Sequence, residues 1–431
     1  MNYNLYFQER LAKLKQEGNY RVFADLSRKA GEFPKAQIHR SEGEKVITVW
    51  CSNDYLGMGQ NRDVIAAMQQ ALTSCGAGAG GTRNISGTNH YHVLLEQALA
   101  AWNRKEAALI FGSGYTANHT ALLTLASQLP DCVIFSDELN HNSMIAGIRH
   151  SRQPCKIFRH NDVNHLDQLL SECDPAAAKL VAFESVYSMD GDIAPIREIC
   201  DIAEKHGALT YLDEVHAVGM YGATGAGIAE RDQQQQRVDI IQGTLAKAIG
   251  VVGGYIAATA TLIDFVRSFG AGFIFSSAMP PVIAAGALAS VGWIQQHPEW
   301  RASMQERAAT LKRRLNEAGL PVMPSVSHIV PLLVGDAKRC KAASDLLLDR
   351  YNIYIQPINY PTVPKGSERL RITATPLHND LLMDELVAAL VAVWKQLDLP
   401  LTRTNSQQNT DSQQNPARPQ NSKPEPLRLA A

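Results

Sequence analysis

AALIFGSGYTA, residues 107–117, decides the fold. Five apolar residues end in a glycine-punctuated turn, and a helical pattern follows from Thr116, which makes a strand, tight turn and helix unit. Similar units recur along the chain: CVIFSD (132–137) before a helix from Ser143, and KLVAFES (179–185) before one from Pro195. ALTYLDE (208–214), VDIIQG (238–243), GGYIAA (253–258) and GFIFSS (272–277) read as further strands. Their cores are apolar without alternation, as in strands buried on both faces, so the pattern predicts an α/β fold with a mostly parallel sheet. In such sheets ligands lie beyond the carboxyl ends of the strands.

Away from that sheet, residues 5–18 read as a helix with Leu5, Leu11 and Leu14 on one side, free to pack on a partner surface. VITVWCSNDYLGM (46–58) is a strand entering a turn, and DVIAAMQQAL (63–72) is a helix. GAGAGGTRNISGTNHYH (76–92) holds too many glycines for regular structure and reads as a loop of close approach. Residues 282–318 look helical. Beyond them SHIVPLLVG, KAASDLLLDRY, YIQPINY, ERLRITAT and a helix from Asn379, with Leu382, Leu386, Leu390, Trp394 and Leu397 on one face, make a smaller α+β unit. The expected divisions are 1–50, an N-terminal helix and arm; 51–290, the large domain; 291–400, the C-terminal α+β domain; and 401–431, a disordered polar tail.

The 431 residues carry 41 basic and 42 acidic side chains, a formal charge of -1, so no basic field calls for nucleic acid or a membrane surface. Small molecules are the expected partners. Seven cysteines, an odd number with no CxxC pair, fit neither a disulfide framework nor a zinc site, and no metal is expected. MNYNLYFQERLAKLKQEG lacks the apolar stretch of a signal peptide, so a cytoplasmic protein is expected.

Several side chains at strand ends carry chemistry. Lys247, in VDIIQGTLAKAIGVVGGY (238–255), follows a short β-branched run and sits among Gly243, Gly250, Gly253 and Gly254. Desolvation would lower its pKa and free the amine as a nucleophile, although a solvated loop lysine fits the same residues. FGSGYTA (111–117), with Asp137 about twenty residues on, imitates a dinucleotide fingerprint and leaves an NAD-dependent oxidoreductase open. The same turn serves any phosphate, since free N–H groups at a helix start favour an anion. Asp213 ends a buried strand, where a carboxylate needs a donor or cation; a pyridinium nitrogen would serve, as would a helix cap or salt bridge. His141, before a helix, suits stacking on a planar ring or simple solvation. Thr244 offers a hydroxyl to a phosphate, and Arg371, in a strand pattern, suits a bidentate carboxylate. Phosphate loop, stacking histidine, pyridine-facing aspartate, nucleophilic lysine and carboxylate-binding arginine together describe pyridoxal 5′-phosphate.

Through NDYLGMG, GAGAGGTRNISGT, SDELNHNSMIAGIR, FESVYSMDGD, YLDEVHAVGMYG, GTLAKAIGVVGGY and PTVPKGSERLRITATP, the chain from Asn4 to about Leu397 resembles the α-oxoamine synthases. These are fold-type I pyridoxal-phosphate enzymes that condense an amino acid with an acyl-CoA. TRNISGT and the Tyr20-Arg21 pair point to the branch that joins glycine to succinyl-CoA, giving 5-aminolevulinate, CoA and carbon dioxide. A sibling synthase using another acyl-CoA or amino acid stays open.

The resemblance implies that Lys247 holds the cofactor covalently and acts as general base, with Asp213 at the ring nitrogen, His216 near the ring hydroxyl, His141 stacked on the ring and Ser185 beside it. It assigns the phosphate to Ser113, Gly114, Tyr115 and Thr244, with Ser276 or Ser277 from the neighbouring subunit of a homodimer. Asn53 and Arg371 would hold glycine's carboxylate, and Arg21, Thr82, Asn84, Ile85 and Thr362 would line the acyl side. Arg21 reads equally as half of a surface ion pair with Asp25 on one helical turn. The proline-rich segment 357–369 is placed to act as a lid.

Overall fold

The computed structural model describes residues 1–402. Its centre is a seven-stranded sheet of β4 (Ala107–Phe111), β5 (Val133–Asp137), β6 (Cys155–Phe158), β7 (Lys179–Glu184), β8 (Leu209–Asp213), β9 (Ile240–Thr244) and β10 (Gly254–Ala258). The spatial order is β4-β10-β9-β8-β7-β5-β6, and only β10 runs antiparallel to its neighbours. Every residue of β7, β9 and β10 is buried, which is why their apolar residues show no in-and-out alternation. Alternate residues divide between the two faces. Ile110, Phe135, Val181, Phe183, Leu212 and Ile241 join one core, whereas Leu109, Ile134, Leu180, Ala182, Tyr211 and Ile240 join the other.

Two smaller sheets flank this core. β1 (Leu26–Ser27), β2 (Lys35–Arg40) and β3 (Gly43–Val49) are joined by β12 (Ile353–Tyr354), which pairs in parallel with β3. β11 (Ile329–Leu333), β14 (Arg369–Thr373) and β13 (Pro357–Ile358) form the third sheet. The helices Pro298–Glu317, Ala337–Tyr351 and Asp380–Gln396 cover it with Leu311, Leu347, Leu386, Leu390 and Trp394, in one cluster with Trp50. Leu382 and Leu397 lie at the margin of that cluster.

Several local expectations are corrected. GFIFSS forms no strand: Ala271–Ile274 is a helical turn, because Gly272 packs on the helix Gly114–Gln128 so closely that no Cβ would clear Thr120. CKIF, not recognised as a strand, is β6 at the sheet's edge. The helix across 282–318 breaks at His297, just before Pro298, into Pro281–Gln296 and Pro298–Glu317. Gly243 belongs to β9 and not to the following loop, since the Tyr255 ring of β10 fills the space a side chain would need. YIQPINY splits into β12 and β13, which serve different sheets. The glycine-rich stretch stays irregular through the turn Arg83–Gly87, where Ile85 and Ser86 leave helical backbone, but its last residues begin a helix at His90.

The N-terminal helix, Tyr3–Gln16, buries no residue. Residues 17–25 are not helical, so Arg21 and Asp25 share no helical turn, and no ion pair joins them among the described residues. The expected disordered tail falls almost wholly on 403–431, outside the described residues. Among the described residues no helix is long and apolar enough to cross a membrane.

Candidate active site

Loops after β4, β5, β7, β8 and β9 carry the chemistry-bearing residues. After β4, Ser113 caps the helix Gly114–Gln128 by accepting the Thr116 N–H at 3.0 Å. The turn needs glycine: a Cβ on Gly254 would stand 2.5 Å from Gly114 Cα and 2.6 Å from the Ser113 carbonyl, while the space above Gly112 is open. Thr244, the last residue of β9, lies against Gly114 and donates its hydroxyl to the Gly253 carbonyl at 3.0 Å. A helix N-terminus with open space above glycine is a cradle that fits a phosphate. Tyr115 is half exposed beside it, its ring stacked near His119. Ser276 and Ser277 of this same chain line a small cleft with Gly112, and Ser277 bridges to Thr82.

Lys247 is partly buried, and among the described residues its Nζ makes no hydrogen bond. Burial pulls its pKa from 10.5 to about 8 despite the attraction of Asp213, and Arg371 adds to the fall. A lysine of this kind is a usable nucleophile and base near neutral pH.

Asp213 closes β8 and is fully enclosed. Burial raises its pKa, while hydrogen bonds from Asn118 Nδ2 at 2.7 Å and the Val215 N–H at 2.8 Å favour its charged form. Asn118 is itself oriented, accepting from Tyr211 Oη at 2.9 Å and donating to Ser143 Oγ at 3.0 Å. Ser143 in turn meets His141 Nδ1 at 2.7 Å. His141 starts the helix Asn142–Ser151, its backbone N–H held by Glu184 Oε1 at 2.6 Å. Burial lowers the pKa of its imidazole, against the pull of Asp213. Glu184 itself is pushed far upward by burial and by Asp213.

Ser185 is brought to the same loop cluster, but its hydroxyl is committed to Glu214 Oε2 at 2.5 Å. Glu214 also accepts the Ile228 and Ala229 N–H groups, so it anchors the loop after β8 that bears His216.

Arg371, on β14, reaches across from the small sheet. Its Nε donates to the Ser188 carbonyl at 2.6 Å, Nη1 to Asn53 Oδ1 at 3.3 Å and Nη2 to Tyr55 Oη at 2.8 Å. Arg371 and Asn53 therefore meet, as the sequence suggests. At the far side, Nη2 of Arg21 donates to Thr362 Oγ1 at 3.3 Å on the wall of a cavity of about 490 Å³. The cavity's lining includes neither Lys247 nor Asp213, so its size is no guide to the reactive centre. Thr82, Asn84 and Ile85 lie on the turn Arg83–Gly87 and its cap, with Asn84 and Ile85 exposed. Within one chain no hydrogen bond joins them to Arg21 among the described residues.

Sequence reasoning missed Tyr55, Asn118, Ser143, Glu184, Glu214 and His328. All are buried polar residues whose partners are distant in sequence. The available signal was a polar residue inside an apolar run, as in FES and LDE, or directly after one, as in NDY.

The aminotransferase class I and II family model matches residues 45–390. The 5-aminolevulinate synthase of Rhizobium meliloti (strain 1021) is 58% identical over 399 residues, covering 93% of this chain and 99% of its own. The mitochondrial 5-aminolevulinate synthase of Yarrowia lipolytica is 51% identical over 412 residues, covering 92% and 73%. Among solved structures, serine palmitoyltransferase from S. paucimobilis with bound PLP and myriocin matches with a TM-score of 0.84 at 30% identity, covering 91% of this chain and 97% of that one.

Proposed function

From the premise that this chain belongs to the aminotransferase class I and II family, and within it to the 5-aminolevulinate synthases, we propose how its own residues join glycine to succinyl-CoA. The enzyme condenses the two to 5-aminolevulinate, CoA and carbon dioxide, the first step of heme biosynthesis, and depends on pyridoxal 5′-phosphate. When bound, the cofactor supplies an aldehyde for covalent attachment to an amine and an electron-poor ring that weakens glycine's Cα–H bond.

The observation that carries the reading is the placement of Lys247, a lysine with no hydrogen-bond partner among the described residues, near Asp213 and Arg371, where burial lowers its pKa to about 8. Its Nζ would hold the cofactor covalently and, when free, would be the base for a proton on glycine's α-carbon. Asp213 holds a proton on the ring nitrogen, and the Asn118 and Val215 donors keep its carboxylate charged and aimed. The Gly112–Tyr115 turn and Thr244 hold the phosphate, with Ser276 or Ser277 of a second subunit. His141 covers the ring. Arg371 and Asn53 bind glycine's carboxylate, which fixes which Cα bond faces Lys247. Arg21 and Thr362 bind the distal carboxylate of the succinyl group, with Thr82, Asn84 and Ile85 lining the acyl side.

We also read the enzyme as a cytoplasmic homodimer. A helix at 3–16 with no buried residue, and exposed Phe269, Phe275 and Ile85 near the acyl-side turn, support a second copy covering this face.

The test is product stoichiometry. Purified enzyme with carboxyl-labelled glycine and succinyl-CoA should release one labelled carbon dioxide and one CoA per 5-aminolevulinate formed. CoA release without labelled carbon dioxide would contradict the reading.

A further inference from the structure

Thr82, Asn84 and Ile85 share their turn with Arg83, whose side chain is only 13% exposed although Asn84 and Ile85 beside it are open to solvent. The turn is closed on itself. The Gly87 N–H donates to the Thr82 carbonyl at 2.9 Å, and Ser86 takes a left-handed φ of +58°. A Cβ on Gly81 would collide with the Ile85 carbonyl, and one on Gly87 with the Gly81 carbonyl. A turn closed so tightly by its own backbone keeps its shape, so where it stands depends on its ties to the rest of the chain.

Two of those ties are backbone contacts: the Ala278 N–H donates to the Gly81 carbonyl at 2.9 Å, and Thr82 bridges to Ser277. The charged tie is Arg83. Its Nη1 and Nη2 grip Glu96 Oε1 and Oε2 at 2.8 and 2.9 Å, a fork in which both oxygens are used. Its Nε donates to Thr88 Oγ1 at 3.1 Å, and that hydroxyl donates back to the Arg83 carbonyl at 2.8 Å. The guanidinium also lies 5.7 Å from the centroid of the Phe273 ring.

Glu96, 15% exposed, sits on the helix His90–Trp102 and has a second duty. β4 is an edge strand, and the Ile110 N–H finds its acceptor in Glu96 Oε1 at 3.1 Å. Two residues after Ile110 the chain enters the Gly112–Tyr115 turn. One carboxylate therefore holds both the strand that leads to the phosphate turn and the cation of the acyl-side turn.

We propose that Arg83 and Glu96 are a positioning pair: their bidentate bond sets the acyl-side turn against the strand that carries the phosphate turn, and so fixes where Thr82, Asn84 and Ile85 meet the acyl chain. This rests on the reading of those three residues as the acyl wall. The experiment uses the holoenzyme and two variants. Arg83→Lys keeps the charge, but an ammonium is a point charge and cannot match both carboxylate oxygens as the fork does. The double variant Arg83→Met with Glu96→Gln removes both charges, leaves neither buried and unpaired, and keeps an oxygen for the Ile110 N–H. Both variants should lower kcat/KM for succinyl-CoA and butyryl-CoA alike by roughly tenfold or more, the cost of a wall displaced by about 1 Å. The dissociation constants of glycine and of pyridoxal phosphate should stay within about twofold of wild type. Wild-type kcat/KM for both thioesters in the double variant overturns the proposal. An equal loss of glycine or cofactor affinity also overturns it, because the pair would then support the whole site. If the double variant does not fold, Arg83→Lys decides by the same two criteria. Failure of the underlying reading looks different: Asn84→Ala and Ile85→Ala would then leave both thioesters unaffected.

Discussion

Nη2 of Arg21 donates to Oγ1 of Thr362 at 3.3 Å, joining the N-terminal arm to the segment before β14 across 341 residues. With no carboxylate paired to Arg21 among the described residues, the guanidinium keeps free donors facing the cavity. Arg21→Leu is expected to lower kcat/KM for succinyl-CoA by roughly ten- to a hundredfold, the value of a charge-assisted bond to the acyl group's carboxylate. Efficiency with butyryl-CoA should hold or rise. The measurement is kcat/KM for both thioesters in both proteins. An equal fall for the two would make Arg21 a structural residue.

Gly191 ties the loop after β7 to the small sheet. Its carbonyl accepts the Val326 and Ser327 N–H groups, its φ is +74°, and a Cβ would fall 2.8 Å from Ser327 Oγ and still closer to Ser325 Oγ. The same loop offers the Ser188 carbonyl to Arg371 and the Met189 carbonyl and Asp190 carboxylate to Arg369. Gly191→Ala should cost about 1–3 kcal/mol of stability. It should also raise KM for glycine, because Arg371 loses its aim. Thermal melting and substrate kinetics check the two parts, and an unchanged glycine KM would separate the loop from the site.

His160 is clamped between Asp137 Oδ1 at 2.9 Å and Asp192 Oδ2 at 2.5 Å, with the Tyr187 ring against it and Glu138 accepting its backbone N–H. Burial alone would lower its pKa, but the two carboxylates outweigh it and carry it up to about 10. The folded state therefore holds this proton more tightly than the unfolded chain. The stabilisation is complete below about pH 6.5 and is lost as pH rises towards 10. The melting-temperature gap between wild type and His160→Gln should be widest near pH 6 and narrow steadily by pH 9. A gap that widens with pH would mean the imidazole is neutral.

The residues legible in the sequence are those that end an apolar strand run: Asp213, Thr244, Lys247 and the Gly112–Gly114 turn. A buried strand announces itself locally, and the residues directly after it must face the carboxyl edge of the sheet. Tyr55, Asn118, Glu184 and His328 are not legible in the same way, because each is justified by a partner far away in sequence. Ser185 reads as a ring neighbour, yet its hydroxyl answers Glu214, which no spacing rule connects to it. GFIFSS fails for a related reason. Its apolar run matches a strand, but Gly270 and Gly272 pack against Thr120, and that contact makes it a helical turn.

Lys247→Ala tests the central claim most directly. The substitution removes the covalent anchor and the base while leaving the phosphate turn, Asp213 and His141 in place. The variant is expected to fold, to bind pyridoxal phosphate without a covalent bond that borohydride can fix to the chain, and to lose turnover by at least about a thousandfold. Near-normal formation of 5-aminolevulinate from glycine and succinyl-CoA by the Lys247→Ala protein would contradict it.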